Sequence, residues 1–454
     1  MNKDRFSAYR PLIRLTLPIV VQNLLSALVS SADVVMLSSV GQSAISAVSL
    51  ASQYSSILFS VFYGLSSGVS ILAAQYWGRK DIRAIELVEG IALRFSVATA
   101  AVFFLACQLA PGTLMLLFTS DPELIEIGIG YLRAASWSFL FWSVTEVYLA
   151  ALRSVGRVTI STFLNTLALG LNIALNAVFV YGLFGAPKLG VYGVGLATSI
   201  ARGVAMAASL LVSLRSRDVK LRPRAVFERN QVLLRDFIRM AVPALGNDVS
   251  WGVAFSLYSA ILGHMGSDIV SANAIVTVVR NFATVMCYAL GNSALIRIGP
   301  LIGADRPEEA RAEAKRYIRL TVAAGALGGL LVLACLPFAG IYASDYAHLT
   351  ETATGYLRVM LLINTYYVMG TAVNTLLIVG FFRAGGDSRF GFICDTIDMW
   401  CYALPLGVLA AFVLKLPPLW VYFLLCTDEF VKWPWVIGHY RKGRWVRNIT
   451  KSYE

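Results

Sequence analysis

Long apolar segments occupy most of this sequence and constrain its fold more than any other feature. A helix needs about 20 mostly apolar residues to cross a lipid bilayer, and twelve segments meet that requirement. They are continuous rather than alternating, which favours helices over the strands of a membrane barrel. The segments cover approximately residues 12–38, 44–76, 91–117, 129–153, 158–184, 190–214, 237–263, 269–301, 318–342, 355–384, 389–414 and 417–440.

The composition supports a membrane location over a soluble fold. Charged residues make up 14% of the chain, whereas soluble domains carry roughly 25%. The first apolar segment is too long for a signal-peptide core and contains Pro18, so no cleavable signal is expected. We therefore expect an all-α polytopic protein with twelve transmembrane helices.

The placement of positive charge predicts the orientation of the chain. The net charge is +12, but the connections after every odd-numbered segment contain only Lys188 and Lys415 as basic residues. Most other Lys and Arg residues lie on the opposite side, which is the positive-inside pattern. Both termini are therefore expected in the cytoplasm of a multi-pass cell membrane protein. The basic excess is expected to contact anionic lipid, and no nucleic-acid partner is expected.

The cysteines and histidines do not suggest a metal site or a catalytic centre. The six cysteines form no CxxC pair, and the three histidines are far apart in sequence. The sequence also contains no HExxH motif. We expect neither enzymatic activity nor a cofactor.

An internal repeat divides the chain into two halves. A shift of 225 residues aligns Pro18 with Pro243 and places one GYLR tetrapeptide, at 130–133, on a second at 355–358. Each half has six segments, so the repeat is parallel, and such transporters place the substrate between halves that rock to alternate access. The prediction is two pseudo-symmetric six-helix bundles, 1–220 and 221–454, joined by a basic linker at about 215–236. The alternative is that the duplication is retained only in the architecture and does not indicate a transport mechanism.

The chain resembles the multidrug and toxic compound extrusion (MATE) transporters over nearly its whole length. Four stretches carry the likeness: LTLPIVVQNLL with SSADVVMLSSVGQSAISAVSLA, residues 172–202, residues 241–266 and residues 381–400. The resemblance implies export of organic cations or other amphipathic small molecules, driven by H+ or Na+ entry. A monomer is expected. A flippase or exporter of lipid-linked precursors or metabolites from the same superfamily is the alternative.

Asp33 is the only charged residue between Leu15 and Gly78. A charge at the centre of a bilayer costs roughly 2.5–3.5 kcal/mol, so such residues usually face a cavity or a partner. The resemblance implies that Asp33 is a coupling carboxylate, working with Asn172, Asn176 and Thr198, where the family has an acidic residue in place of the second Asn. Oxygens of this kind suit a hard cation such as Na+, but proton coupling at Asp33 is equally compatible. Interhelical hydrogen bonding is the structural alternative.

The C-terminal half carries further intramembrane carboxylates. Asp248 matches an acidic residue of the family, and its depth suggests Arg280 as the nearest counter-ion. Asp395 and Asp398 lie three residues apart and so share a helix face, which suits the binding of one proton. Pairing of either with Arg383 is the alternative.

Several other residues are candidates for a substrate cavity or a moving helix. The cavity candidates are the acidic and aromatic side chains of Glu146, Trp251, Trp400, Tyr402 and Glu429, together with Arg280. Lys432 lies close enough to Glu429 for a local salt bridge, and Trp and Tyr also populate membrane interfaces. Pro18 and Pro243 interrupt the first helix of each half and permit bending.

The predicted topology can be tested by cysteine labelling. Single cysteines in a cysteine-free background should react with a membrane-impermeant reagent in intact cells when placed in the external loops. The positions are those of Gly41, Asp121, Lys188, His264, His348 and Lys415. A cysteine at position 225 should react only after the cells are opened. Labelling of position 225 in intact cells would contradict the twelve-span topology.

Overall fold

The computed structural model describes residues 2–216, 218–341 and 349–452, except for the side chains of residues 2–8, 27, 30–35 and 38. Within these ranges every regular element is a helix. The helices of the first half are α1 Asn2–Ser38, α2 Gln42–Gly78, α3 Ile82–Leu109, α4 Pro111–Leu116, α5 Pro122–Ala135, α6 Trp137–Ser154, α7 Val158–Tyr181, α8 Gly190–Arg215 and α9 Pro223–Phe227. Those of the second half are α10 Gln231–Gly263, α11 Ser267–Gly303, α12 Pro307–Ile341, α13 Glu351–Thr375, α14 Ser388–Thr396, α15 Leu404–Val408, α16 Pro418–Leu425, α17 Asp428–Val431 and α18 Trp433–Arg441.

Irregular helical stretches extend several of these elements. α13 continues as a π-helix over Leu376–Phe382. A second π-helix, Ile397–Ala403, joins α14 to α15, and a third, Leu409–Val413, follows α15. A 3-10 turn at Leu183–Gly185 follows α7. In the described chain, eight helical spans are long and apolar enough to cross a bilayer.

The predicted segment over 91–117 divides into α3 and α4 at Ala110, and two further predicted segments are not single helices. The predicted helix over 129–153 begins earlier and breaks at Ser136, whose hydroxyl donates to the carbonyl of Arg133 at 3.2 Å. The predicted helix over 417–440 is divided into α16, α17 and α18. One break follows Cys426, and another precedes Pro434, which lacks the N–H that a continuous helix requires there. The prediction of one continuous helix is therefore wrong for all three segments.

The chain forms two compact units whose limits do not follow the sequence halves. The N-terminal unit comprises Val21–Leu245 with Lys451–Glu454, and the C-terminal unit comprises Met1–Val20 with Gly246–Thr450. The divisions thus fall inside α1 and α10, shortly after Pro18 and Pro243. The first part of α1 belongs to the C-terminal unit, and the first part of α10 belongs to the N-terminal unit. A division at residue 220 assigns each of these parts to the other unit.

The N-terminal unit packs α2 and α3 against α6, and α7 against α8. Its core is formed by buried side chains such as Phe62, Tyr54 and Phe139. Two glycines of α2 allow the first part of α10 to approach closely. A Cβ atom at Gly64 would lie 2.6 Å from that of Leu245, and one at Gly68 would lie 2.7 Å from that of Ala241. Small residues spaced by four are a common device for close helix packing in membranes.

The C-terminal unit is built on α11, α12 and α13, which pack against one another. Thr16, from the first part of α1, forms a hydrogen bond of 2.8 Å with Ser293 of α11. α14 to α17 pack around the end of α13, and this region contains the polar side chains that are described next.

We expect Gly68→Val to lower the stability of the N-terminal unit. The added side chain would overlap Ala241 and the ring of Phe237, and such overpacking typically costs about 1–3 kcal/mol. Thermal unfolding of the purified protein in detergent measures the effect. Gly130→Val is the matched control, because no atom lies within 4 Å of a Cβ added there. Equal melting temperatures for the two variants would contradict the close approach of α2 and α10.

Candidate functional site

The C-terminal unit contains a lysine whose ammonium group is surrounded by carboxylates. Lys432 follows α17 and is only 2% exposed. Its Nζ lies 3.1 Å from Asp395 Oδ1, 3.3 Å from Glu429 Oε2 and 3.7 Å from Asp398 Oδ2. Asp395 and Asp398 thus reach the same ammonium from one helix face, in agreement with their spacing. We call these four residues the Lys432 cluster.

A chain of hydrogen bonds extends the Lys432 cluster to a second ion pair. Asn247 donates its amide to Asp395 Oδ2 at 2.7 Å. Arg383, also buried, donates to Asn247 Oδ1 at 3.3 Å and to Asp248 Oδ1 at 2.9 Å. A chain of hydrogen bonds through Arg383 and Asn247 therefore links Asp248 to Asp395.

Asp248 pairs with Arg383 and not with Arg280, so the predicted counter-ion was wrong. The expectation rested on depth in the membrane, but the rotation of each helix about its axis decides which side chains meet. The guanidinium of Arg280 instead lies 5.3 Å from the ring centre of Phe255 and 5.7 Å from that of Tyr367. Arg383 contacts Asn247 and Asp248, while Lys432 forms the ion pairs with Asp395 and Asp398.

The carboxylates of the cluster differ in how well they are hydrogen-bonded. Glu429 accepts hydrogen bonds from Asn374 at 2.5 Å and from Thr371 at 3.3 Å, both on α13. Asp395 accepts from Asn247 and Lys432. Asp398 is 2% exposed, yet neither of its oxygens accepts a hydrogen bond from any described residue. Asp398 is therefore the carboxylate with the most capacity for an added proton.

Asp428 adds a fifth carboxylate next to the cluster. It is 1% exposed, accepts the backbone N–H of Glu429 at 2.7 Å and accepts the hydroxyl of Tyr258 at 3.4 Å. The region thus holds five carboxylates and two basic side chains in direct ion-pair contact with them, within the described part of the chain. The carboxylates are those of Asp248, Asp395, Asp398, Asp428 and Glu429, and the bases are Arg383 and Lys432. Full ionisation would leave three negative charges without a balancing cation.

The aromatic candidates of this unit lie in different surroundings. Trp251 stacks obliquely on Phe255, with ring centres 4.2 Å apart. Tyr402 exchanges a hydrogen bond of 3.0 Å with Thr427, at the break between α16 and α17. Trp400 is 39% exposed and donates to Ser250 at 2.8 Å. Trp400 is therefore on an exposed surface, whereas Trp251 and Tyr402 are partly buried against a hydrophobic core of the unit.

The N-terminal unit brings three of the predicted residues together. Asn172 on α7 donates to Thr198 on α8 at 3.0 Å, and Asn176 donates to Asn172 Oδ1 at 3.4 Å. Thr198 also donates to the carbonyl of Val194, within its own helix. Asp33 lies on α1, but its side chain is outside the described residues. The joint role of these four residues therefore stays a prediction.

Glu146, predicted as a cavity carboxylate, is paired with Arg153 at 2.9 Å, about two helix turns further along α6. Pro18 and Pro243 lie within helices that continue on both sides of them. Bending at these prolines stays a prediction.

Sequence reasoning missed several polar residues of these regions. Lys432 was expected to form only a local salt bridge, although a lysine inside an apolar segment is itself a signal of a buried partner. Asn247 and Asn374 gave no signal, because amides are common in membrane helices. Glu89 on α3 is 1% exposed, and neither oxygen has a hydrogen-bond partner among the described residues. In α8, Arg202 lies over Trp142 at 4.5 Å.

Removal of the Lys432 charge should destabilise the protein. Lys432→Met would leave buried carboxylates without their cation, and breaking a buried ion pair in this way typically costs about 3–5 kcal/mol. The double variant Lys432→Met, Asp395→Asn should regain part of the loss, because it removes one of the stranded charges. Thermal unfolding in detergent measures both, with Lys315→Met, an exposed lysine of α12, as the control. A Lys432→Met variant as stable as this control would contradict the observed geometry.

Comparisons with known proteins agree with this architecture. A family model described as MatE matches the chain twice, at residues 18–178 and 249–409. The uncharacterized transporter YisQ of Bacillus subtilis is 25% identical and covers 96% of this chain and 95% of its own length. The multidrug resistance protein MdtK of Edwardsiella ictaluri is also 25% identical, over 98% of this chain and 97% of its own.

Solved structures show the same fold. An outward-facing multidrug resistance MATE transporter superposes with a TM-score of 0.85 at 19% identity, covering 97% of this chain and 96% of its own. A transporter from Pyrococcus furiosus, described as having a binding pocket of reversed polarity, gives 0.84 at 19% identity, covering 96% and 94%. The fold is the all-α, multi-pass arrangement of twelve membrane helices in two bundles. Because the family model matches most of the sequence, in both halves, this chain belongs to the MatE family of multidrug efflux transporters.

Proposed function

We propose that this protein is a secondary antiporter that exports cationic or amphipathic small molecules in exchange for protons. The observation that carries the proposal is the excess of carboxylates over bases around Lys432. Acidic side chains inside a membrane protein favour cationic cargo and mark ion pathways. Relatives named as multidrug resistance proteins, MdtK among them, support the substrate class.

The arrangement around Lys432 favours H+ over Na+ as the coupling ion. The ammonium already occupies the position between Asp395, Glu429 and Asp398 that a metal cation would otherwise take. A sodium ion would have to displace it, at the cost of like-charge repulsion in a poorly solvated region. A proton needs no such displacement, because the oxygens of Asp398 accept no hydrogen bond from the described residues. No cofactor takes part in this proposal.

Exchange follows if protons and cargo compete for the same negative charge. With Asp398 protonated, the Lys432 cluster carries one charge less and is cheaper to bury. With Asp398 ionised, the region attracts a cation from the cytoplasm. Antiport results if Asp398 is neutral in one conformation of the transporter and charged in the other. Proton and cargo each shift the equilibrium between these conformations only by their difference in affinity for the two. The rocking of two halves predicted from the repeat remains part of the proposal, as do the cytoplasmic termini.

Asp33 would serve the N-terminal unit in an analogous way. The hydrogen-bonded set Asn172, Asn176 and Thr198 supplies the amide and hydroxyl groups that the resemblance associates with it. Because these groups are neutral, a single ionisable carboxylate suffices for one proton but gives a weak site for Na+. The N-terminal unit therefore also fits proton coupling.

Neutralising Asp398 should abolish coupling without unfolding the protein. In proteoliposomes with an acidic interior, the wild type should accumulate ethidium, and Asp398→Asn should lower the initial rate at least tenfold. An amide costs less to bury than a charge, so its melting temperature should not fall. Glu351→Gln, an exposed carboxylate of the same unit, should transport normally.

Sodium provides the second arm of this experiment. The same outward-directed proton gradient, from the acidic interior to the medium, should drive ethidium uptake when sodium is absent from all buffers. Transport that requires sodium, or a fully active Asp398→Asn variant, would contradict the proposed role of the cluster.

A further inference from the structure

A cavity of about 230 Å3 lies inside the C-terminal unit, apart from the Lys432 cluster. It is lined by α10, α11, α13 and α16 and is open on one side. This volume is smaller than the roughly 300–1,000 Å3 of pockets that hold whole drug-sized ligands. The cavity therefore fits one part of a ligand, such as a ring with a short substituent.

Arg280 supplies the cavity with a cation that has no acidic partner. In the part of the chain that the structure describes, no carboxylate lies within ion-pair distance of its guanidinium, which faces the rings of Phe255 and Tyr367. Arg280 is half-buried, and a charged group that has lost part of its contact with water is costly unless it is paired. Cation–π contacts compensate only in part, at about 0.5–2 kcal/mol each. An anion entering the cavity would complete the pairing.

Hydrogen-bonding side chains accompany Arg280 on the same face of α11. Asn273 and Thr277 line the cavity at positions seven and three residues before it, which is the spacing of one helix face. The planar guanidinium can donate two parallel hydrogen bonds to a carboxylate. An amide and a hydroxyl beside it can bind further oxygens of the same group.

Aromatic rings form much of the remaining wall. Phe255, Tyr258 and Tyr367 all line the cavity, and each presents a ring that can pack against a planar apolar group. The cavity thus combines an unpaired guanidinium, two neutral polar groups and aromatic walls. These features suit a ligand with a planar apolar group next to an anionic group.

We propose that this cavity is a subsite for an aromatic carboxylate portion of the transported molecule, with the carboxylate on Arg280 and the ring against Phe255 and Tyr367. This inference rests on the proposed export function and adds to its cationic cargo a class of amphipaths that carry a carboxylate. Such a molecule can also bear a cationic group, which the acidic region would attract.

Tyr258 connects the subsite with the acidic region. Its ring lines the cavity, and its hydroxyl donates to Asp428, the neighbour of Glu429, at 3.4 Å. A ligand that moves this ring changes a hydrogen bond to the carboxylates that carry the proposed proton coupling. Cargo and proton would therefore influence each other through one side chain.

Binding of dansylglycine to the purified full-length protein tests the subsite without any ion gradient. This probe has an aromatic ring system and a carboxylate, and its fluorescence rises in apolar surroundings. We expect saturable binding to the wild type and at least tenfold weaker binding of the dansylglycine methyl ester, which lacks the negative charge. Arg280→Gln should weaken dansylglycine binding about tenfold or more and leave the ester unaffected. Arg280→Lys should retain part of the affinity, because it keeps the charge but not the paired donors.

Two controls make the outcome decisive. Arg202→Gln removes another arginine that lies over an aromatic ring, in the N-terminal unit, and should bind dansylglycine as the wild type does. Asp398→Asn should lose proton-driven transport and yet bind the probe, which separates the two proposals. Equal binding of acid and ester by the wild type, or wild-type affinity in Arg280→Gln, would overturn the subsite even if ethidium transport is proton-coupled. If Arg280→Gln does not fold, the comparison of acid and ester still decides.

Discussion

One buried ammonium group, that of Lys432, holds together the polar interior of the C-terminal unit. It contacts carboxylates from two separate parts of the chain: Asp395 on α14 with Asp398 on the π-helix that follows it, and Glu429 on α17. Burial of these groups in isolation would be prohibitive, and each is tolerated because the others are present. The ion pair of Asp248 and Arg383 joins this arrangement through Asn247. A change in the charge of one of these residues therefore alters the electrostatic interactions of several helices at once.

The irregular helices are what make this arrangement possible. The break between α16 and α17 turns Asp428 and Glu429 inward and presents the N–H of Glu429 to the Asp428 carboxylate. A π-helix begins at Ile397 and carries Asp398. π-Helical segments and interrupted helices in membrane proteins are frequent at functional sites, where freed backbone groups are satisfied by buried polar partners.

The sequence predicted the architecture better than the contacts. The membrane fold could be predicted from hydropathy, loop charge and the internal repeat, because each of these is a property of many residues together. The pairing of Asp395 and Asp398 on one face also followed from local spacing. The partner of Asp248 did not, because depth along a helix leaves its rotation undetermined, and Arg383 lies 135 residues away in sequence. The contacts of Lys432 with several carboxylates were not predicted, because they involve the break before α17. The apolar composition of this segment gives no sign of that break.

Proton release on cargo binding tests the central claim most directly. Ethidium would be added to purified protein in weakly buffered detergent solution with a pH-indicator dye, in the absence and in the presence of sodium. The account predicts that the wild type releases protons on binding whether or not sodium is present, and that Asp398→Asn releases fewer protons at the same ethidium occupancy. Binding without proton release from the wild type, or release that is unchanged in Asp398→Asn, would contradict it.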